Sequence, residues 1–100
     1  MTFEEIKQLG GDIVYLYSNY PVNDVWEEIT VAQVKELVAE AEEIMRDVER
    51  KSVFDKQRYD RAKLRKMDID SGFRVAGPNS RWFRAVDPQT QREFFAIAKA

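Results

Sequence analysis

The chain of 100 residues contains no cysteine and no histidine. Disulfides and thiolate metal sites are therefore excluded, and so are the Ser-His-Asp and Cys-His arrangements of nucleophilic catalysis. Its apolar runs are much shorter than the roughly 20 residues that cross a membrane, and Glu4 and Glu5 stand where a signal peptide would be basic and then apolar. These absences predict a cytoplasmic protein that contacts no membrane and is not an enzyme.

Carboxylates remain as candidates for acid–base catalysis or metal binding, but their spacing argues against both. The adjacent glutamates, such as Glu42 and Glu43, point about 100° apart on a helix and do not converge on a substrate. Residues 68–72 begin like a calcium loop, but Phe73 stands where that loop requires glycine. We therefore expect no catalytic, metal-binding or cofactor-binding residues.

The length and the 44% hydrophobic content suit one hydrophobic core and are too small for two. We predict a single domain over residues 1–100, in which residues 1–68 are helical and residues 69–100 form the β part. The expected fold class is α+β.

Residues 30–51 carry the clearest secondary-structure signal, which is that of an amphipathic helix. Thr30 and Gln33 have the spacing of a capping box. The apolar positions recur every three or four residues, as one face of a helix requires. They are Val31, Val34, Leu37, Val38, Ala41, Ile44, Met45 and Val48. The opposite face is a row of carboxylates, Glu36, Glu40, Glu43 and Asp47, which we name the acidic row.

Two further helices are predicted with weaker signals. Residues 2–20 begin with a capping box at Thr2 and Glu5 and have helical spacing, although residues 12–18 would equally suit a buried strand. Residues 53–67 have the composition of a helix, with a weak capping signal at Ser52 and Asp55.

The C-terminal residues predict β structure. Residues 81–86 and 92–98 are rich in aromatic and β-branched side chains, and Asp87 and Pro88 between them suit a type I turn. We expect an antiparallel β-hairpin, or a three-stranded meander if residues 73–76 add a strand. An isolated hairpin is marginally stable in water, so its aromatic face should pack on the helices.

Charge is distributed unevenly along the chain. Residues 1–55 contain 13 acidic and 5 basic side chains, whereas residues 56–100 contain 5 acidic and 11 basic ones. Six of these cations lie within eleven residues: Lys56, Arg58, Arg61, Lys63, Arg65 and Lys66. They are either free to bind a polyanion or paired with the acidic row inside the molecule.

The leading functional prediction is a non-catalytic protein–protein interaction module, such as an adaptor, an assembly factor or an inhibitor of a larger protein. Its predicted contact residues are Arg81, Trp82, Phe83 and Arg84, because arginine and aromatic side chains are enriched at binding hot spots. The alternative is a single-stranded nucleic-acid-binding module that uses the six cations and the β-hairpin. A homodimer through residues 30–50 is a further prediction, since a second copy would cover their apolar stripe.

Overall fold

The computed structural model of the chain describes residues 1–9, 13–15 and 23–99. Within them the fold is α+β, as predicted, with three helices and one antiparallel sheet of four strands in the order β1-β4-β3-β2. The elements in chain order are α1 (Phe3–Gln8), β1 (Ile13–Tyr15), β2 (Glu27–Ile29), α2 (Val31–Arg50), α3 (Lys56–Ala76), β3 (Arg81–Val86) and β4 (Glu93–Ala98).

The sheet is covered by helices on both of its faces, because alternate side chains of β3 and β4 are buried on opposite sides. On one face Trp82, Phe95 and Ile97 pack against α2 and α3. On the other face Phe83 and Phe94 form a cluster with residues of α1 and with Trp26. The predicted packing of the β-hairpin on the helices is confirmed.

Helices α2 and α3 form a helical hairpin that reaches beyond the sheet. The cluster on the Trp82 face of the sheet includes residues from the first half of α2 and the second half of α3, such as Val34 and Ile69. In residues 41–64, which we name the outer half of the helical hairpin, the buried side chains are the small ones of Ala41, Val48 and Ala62, and none of them belongs to a sheet cluster. The molecule is accordingly elongated, with extents of 49 × 29 × 19 Å.

Both strong capping signals are confirmed. Thr30 caps α2 by accepting a hydrogen bond from the backbone N–H of Gln33 at 3.1 Å, and the Gln33 side chain accepts one from the Thr30 backbone N–H at 2.8 Å. Thr2 and Glu5 form the same reciprocal pair at α1.

The third helix differs from the prediction at both ends. It begins at Lys56, where Asp55 rather than Ser52 is the N-cap, and it continues to Ala76. The alternative in which residues 73–76 add a third strand is therefore wrong, and the hairpin alternative is confirmed. The helix continues here because helical geometry packs this segment on the sheet. The centroid of the Phe73 ring lies 4.8 Å from that of the Trp82 ring, and Gly72 lies directly against Trp82 and Ile97.

The first predicted helix is much shorter than residues 2–20. It ends at Gln8, and Ile13–Tyr15 form an edge strand that pairs with β4, with Ile13 opposite Ala98. The strand alternative for this segment is confirmed over these three residues, because the unpaired edge of β4 supplies their hydrogen-bond partners. The remainder of the prediction, residues 10–12 and 16–20, lies outside the described residues.

The predicted β-hairpin is present, with β3 at the predicted residues and β4 beginning one residue later. Its turn is closed by a hydrogen bond from the Gln91 backbone N–H to the Asp87 carbonyl at 2.8 Å, and Gln91 has a positive φ of 58°. The sheet is completed by β1 and β2, which belong to the N-terminal part predicted to be helical. The expected division at residue 68 into a helical and a β part is therefore not followed.

Candidate functional site

The first half of α3 places three arginines in one row. Arg58, Arg61 and Arg65 are spaced i, i+3 and i+7, so they share one face of the helix. Further along α3 this same face carries Ile69 and Gly72, which pack on the sheet. Because the outer half of the helical hairpin reaches beyond the sheet, the arginines line a surface that is still accessible to solvent.

Two adjoining cavities lie along this row, with volumes of about 400 and 350 Å³. Arg61 and Arg65 line both of them. The larger cavity extends along α3 to Arg58 and has Ile44 and Ala62 in its wall. The smaller one extends past Leu64 to the turn between β3 and β4, where Arg92 and Glu93 line it. We name this combined concave surface the arginine groove.

Arg58 stands at the outer end of the groove and is paired. Its Nη1 donates a hydrogen bond of 2.9 Å to Oδ2 of Asp47 on α2, and Lys51 Nζ lies 3.3 Å from the same oxygen. The hydrogen bond from Arg58, followed by that from Lys51, lowers the pKa of the Asp47 carboxyl below its ordinary value of 3.8. One carboxylate thus serves two cations.

Arg65 stands near the sheet and belongs to a chain of ion pairs. Its Nε lies 2.8 Å from Oε2 of Glu93, whose side chain is only 14% exposed, and Arg84 Nη1 lies 3.8 Å from the other Glu93 oxygen. Arg84 also approaches Glu27 on β2 at 3.6 Å. No hydrogen bond with good geometry reaches Glu93 Oε2 within the described part, so its contact with Arg65 is ionic rather than directional. This chain ties the inner end of the groove to the sheet.

Arg61 lies between these two pairs and differs from both. Within the described residues its side chain forms no ion pair and no hydrogen bond. The lining of the two cavities contains four arginines and two carboxylates, Asp55 and Glu93, an excess of two positive charges. The groove is therefore cationic, with its least satisfied charge at the centre.

The six predicted cations do not act as one surface. Only Arg58, Arg61 and Arg65 meet in the groove. Lys56 and Lys63 are exposed and do not line it, and Lys66 lies beside Glu42 and Glu49 in a shallow depression between the helices. The helical period separates them, since neighbouring cations in the sequence point to different sides of α3.

The acidic row is divided in the same way. Asp47 pairs with Arg58, but Glu43 instead accepts a hydrogen bond from Arg46 of its own helix at 2.9 Å. Glu36 and Glu40 lie beside Arg84 and Glu27 at the sheet end of α2. The proposed docking of the whole basic segment on the acidic row therefore reduces to the single pair between α2 and α3, Asp47 with Arg58.

The four residues predicted to contact a partner lie on β3. Two of them are buried, and the two arginines reach the surface. Trp82 and Phe83 are each 0% exposed and point to opposite faces of the sheet. Trp82 donates its Nε1 hydrogen to Ser80 Oγ at 3.1 Å, so its polar atom is also satisfied. Arg81 pairs with Glu28 at 2.9 Å, and Arg84 with Glu27 and Glu93. The two aromatic side chains are core residues, and the binding role of the segment stays a prediction.

Sequence reasoning placed a break between α2 and α3 but missed the exposed apolar residues in it. Val53 and Phe54, which we name the tip, are 80% and 52% exposed at the far end of the helical hairpin. Phe54 packs only partly, with its ring 5.1 Å from that of Tyr59. The signal was present as two adjacent large apolar residues between Lys51 and Asp55, where the helical stripe of α2 ends.

Other kinds of site find no support in the described part of the chain. Residues 1–9, 13–15 and 23–99 contain no group of three acidic side chains placed to hold a metal ion, and none of their helices is long and apolar enough to cross a membrane. Comparisons of the chain with protein-family models, with curated proteins and with solved structures found no match.

Proposed function

We propose that this chain is a non-catalytic protein–protein interaction module, an adaptor, assembly factor or inhibitor that contacts a larger protein through the outer half of its helical hairpin. The observation that carries the proposal is the exposed tip, Val53 and Phe54, directly beside the arginine groove. The cytoplasm remains the proposed location.

Exposed apolar residues are common singly, so the position of the tip matters more than its polarity. Val25 is 64% exposed elsewhere on the surface, for example, and needs no explanation. The tip combines two adjacent large apolar side chains with arginines a few residues away. Aromatic and arginine side chains are enriched where proteins bind one another. This surface offers both, whereas Trp82 and Phe83 are buried.

Affinity capture followed by mass spectrometry tests the proposal in extracts of the cells that produce the protein. The variant is Val53→Ser with Phe54→Ser, and the control is Val75→Ser, which removes a side chain that is 53% exposed at the other end of α3. We expect wild type and control to retain a common protein that the tip variant loses by about tenfold or more. Equal retention by all three would contradict the proposed contact.

A second candidate function, binding of single-stranded nucleic acid, is favoured by the convergence of Arg58, Arg61 and Arg65 on one groove. Cations of this kind neutralise phosphates, and affinity then falls by orders of magnitude between about 50 and 200 mM salt. Trp82 and Phe83, the aromatic side chains of β3 that could stack on bases, are buried, however. Fluorescence anisotropy with labelled single strands tests this candidate, and no binding at micromolar protein in low salt would remove it.

Self-association remains a separate prediction. It was motivated by an apolar stripe on residues 30–50 that a second copy would cover. Within one copy of the chain, α2 packs on α3, and its stripe residues Val34, Ala41 and Val48 are already buried. Light scattering at several concentrations decides the question. A constant mass near 11.8 kDa would end the dimer prediction.

A further inference from the structure

Two of the three arginines in the groove contact carboxylates of this same chain. At each end one arginine holds a carboxylate of this chain: Asp47 on Arg58 at 2.9 Å and Glu93 on Arg65 at 2.8 Å. Arg61 lies between them with the same fork of donors and no acidic partner among the described residues. Guanidinium groups bind carboxylates with two parallel hydrogen bonds, so a carboxylate from outside would complete the row.

The spacing of the arginines matches an extended peptide. Along a helix, Arg58 and Arg61 differ by a rise of about 4.5 Å, and Arg61 and Arg65 by about 6 Å. In an extended chain, side chains on the same side are about 6.6 Å apart. A peptide with acidic residues at alternate positions can therefore reach successive arginines, while its intervening side chains face other parts of the groove lining.

The apolar lining indicates what those intervening residues should be. Ile44, Ala62 and Leu64 line the groove, and Leu64 is 52% exposed. Among the residues that the structure describes, no aromatic side chain lines either cavity, so these residues offer a nucleic-acid base no ring on which to stack. A nucleic acid also carries a charge on every unit and would bring phosphates against Asp55 and Glu93, whereas a peptide can place neutral residues there.

We propose that the arginine groove binds a short extended segment of the partner protein in which acidic residues alternate with small aliphatic ones, with Arg61 as the central contact. This inference rests on the proposed function, because it names the chemistry of the partner that the helical hairpin contacts. It does not depend on the tip, which makes the two separable by experiment.

The test uses a fluorescently labelled peptide of alternating Glu and Ala, with a peptide of alternating Gln and Ala as the neutral control. Titrations by anisotropy compare wild type with Arg61→Glu and with Lys63→Glu. The last is a matched control, since it makes the same charge change on the same helix at an exposed residue outside the groove. Neither side chain has a partner among the described residues, so melting curves should show both variants folded like wild type.

We expect the acidic peptide to bind and the Gln peptide not to bind. Arg61→Glu should weaken binding by about tenfold or more, while Lys63→Glu should change it by less than about threefold. Leu64→Ser should weaken it by a smaller factor, because it removes part of the apolar lining without changing a charge.

Three results would overturn the inference. The first is no saturation with the acidic peptide at about 1 mM in low salt. The second is tighter binding of a labelled oligothymidylate that competes with the peptide, which would make the groove a nucleic-acid site. The third is a doubled mass without peptide that Arg61→Glu restores to the monomer, which would assign the groove to a second copy of the chain.

Capture with the tip variant separates this inference from the proposed function. If the peptide fails to bind but loss of the tip still abolishes capture, the groove inference is wrong and the proposed function stands. If the peptide binds as expected but the tip variant retains every captured protein, the proposed tip contact is wrong and the groove inference stands.

Discussion

Two regions of the molecule differ in how they bury large apolar side chains. One is the sheet with its covering helices, and the other is the outer half of the helical hairpin. In the sheet region Trp82, Phe83 and Phe95 are almost wholly buried and pack on both sides of β3 and β4. In the outer half the buried residues are small, whereas Phe54 is exposed at the tip. Most of the stabilising burial of apolar area therefore lies in one region, and the other exposes Val53, Phe54 and Leu64 to solvent.

The two regions also differ in how their charges are arranged. At the sheet, Glu93 contacts both Arg65 and Arg84, and Arg84 also reaches Glu27. Along the outer half, Arg61 has no partner in the described part of the chain. A small domain has only a few kcal/mol of net stability, so unsatisfied groups are tolerated best where they cost least, at a solvent-exposed surface. The contact surface that we propose lies in the outer half.

The largest difference between the regions should appear when one aromatic side chain is removed from each. Trp82→Ala should lower the free energy of unfolding by about 3 to 5 kcal/mol, because it leaves a cavity between the sheet and the helical hairpin. Phe54→Ala should cost about 1 kcal/mol or less, since it loses only the exposed ring contact with Tyr59. Urea unfolding followed by far-ultraviolet circular dichroism measures both, and similar losses would contradict the contrast.

The next effect concerns the close approach of α3 to the sheet. A Cβ added at Gly72 would lie 2.5 Å from both Ile97 Cδ1 and Trp82 Cη2. Gly72→Ala should therefore destabilise the protein by about 1 to 3 kcal/mol, although alanine is the better helix former by about 1 kcal/mol. The control Ser71→Ala, at the neighbouring helical position, should be close to neutral. A Gly72→Ala protein more stable than wild type would show that the packing there yields easily.

A smaller effect is expected at the ion pairs that tie α3 to the sheet. Glu93→Gln should lower the free energy of unfolding by about 1 to 2 kcal/mol, because Arg65 and Arg84 lose a largely buried anionic partner. The control Glu43→Gln removes an exposed pair with Arg46 on α2 and should change stability little. Thermal melts of the two variants compare these sites. Equal shifts in melting temperature would mean that the ion pairs of Glu93 contribute no more to stability than an exposed pair does.

The smallest effect is a pH dependence within the outer half. Arg58 and Lys51 lower the folded-state pKa of Asp47, so this pair stabilises the protein fully above the unfolded pKa of about 3.8. Its contribution should be lost as the pH falls from there through the lowered folded pKa. The difference in the free energy of unfolding between wild type and Arg58→Gln should therefore be constant near neutral pH and should approach zero in acid. The corresponding difference for Arg50→Gln should not change with pH. A difference that persists at the lowest pH would contradict the assignment.

The site was only partly predictable because its members come from three segments. The row Arg58, Arg61 and Arg65 was visible as helical spacing. Asp47 was visible as one member of the acidic row, and the packing of α2 on α3 selects it as the partner of Arg58. Glu93 was not visible, because it reaches the groove only through the pairing of β4 with β3. The tip was missed for another reason, because burial and not composition distinguishes it from a core residue.

The sequence alone determined those features that depend on neighbours along the chain. Thr30 with Gln33 begins α2, Thr2 with Glu5 begins α1, and the aromatic and β-branched content of residues 81–86 indicates β3, because caps and local propensity act over a few residues. Only the tertiary structure decided that α3 runs through Gly72 to Ala76 and that Ile13–Tyr15 form a strand. In both segments local preference was weak or opposed. Burial against Trp82 and hydrogen bonds to the edge of β4 outweighed it.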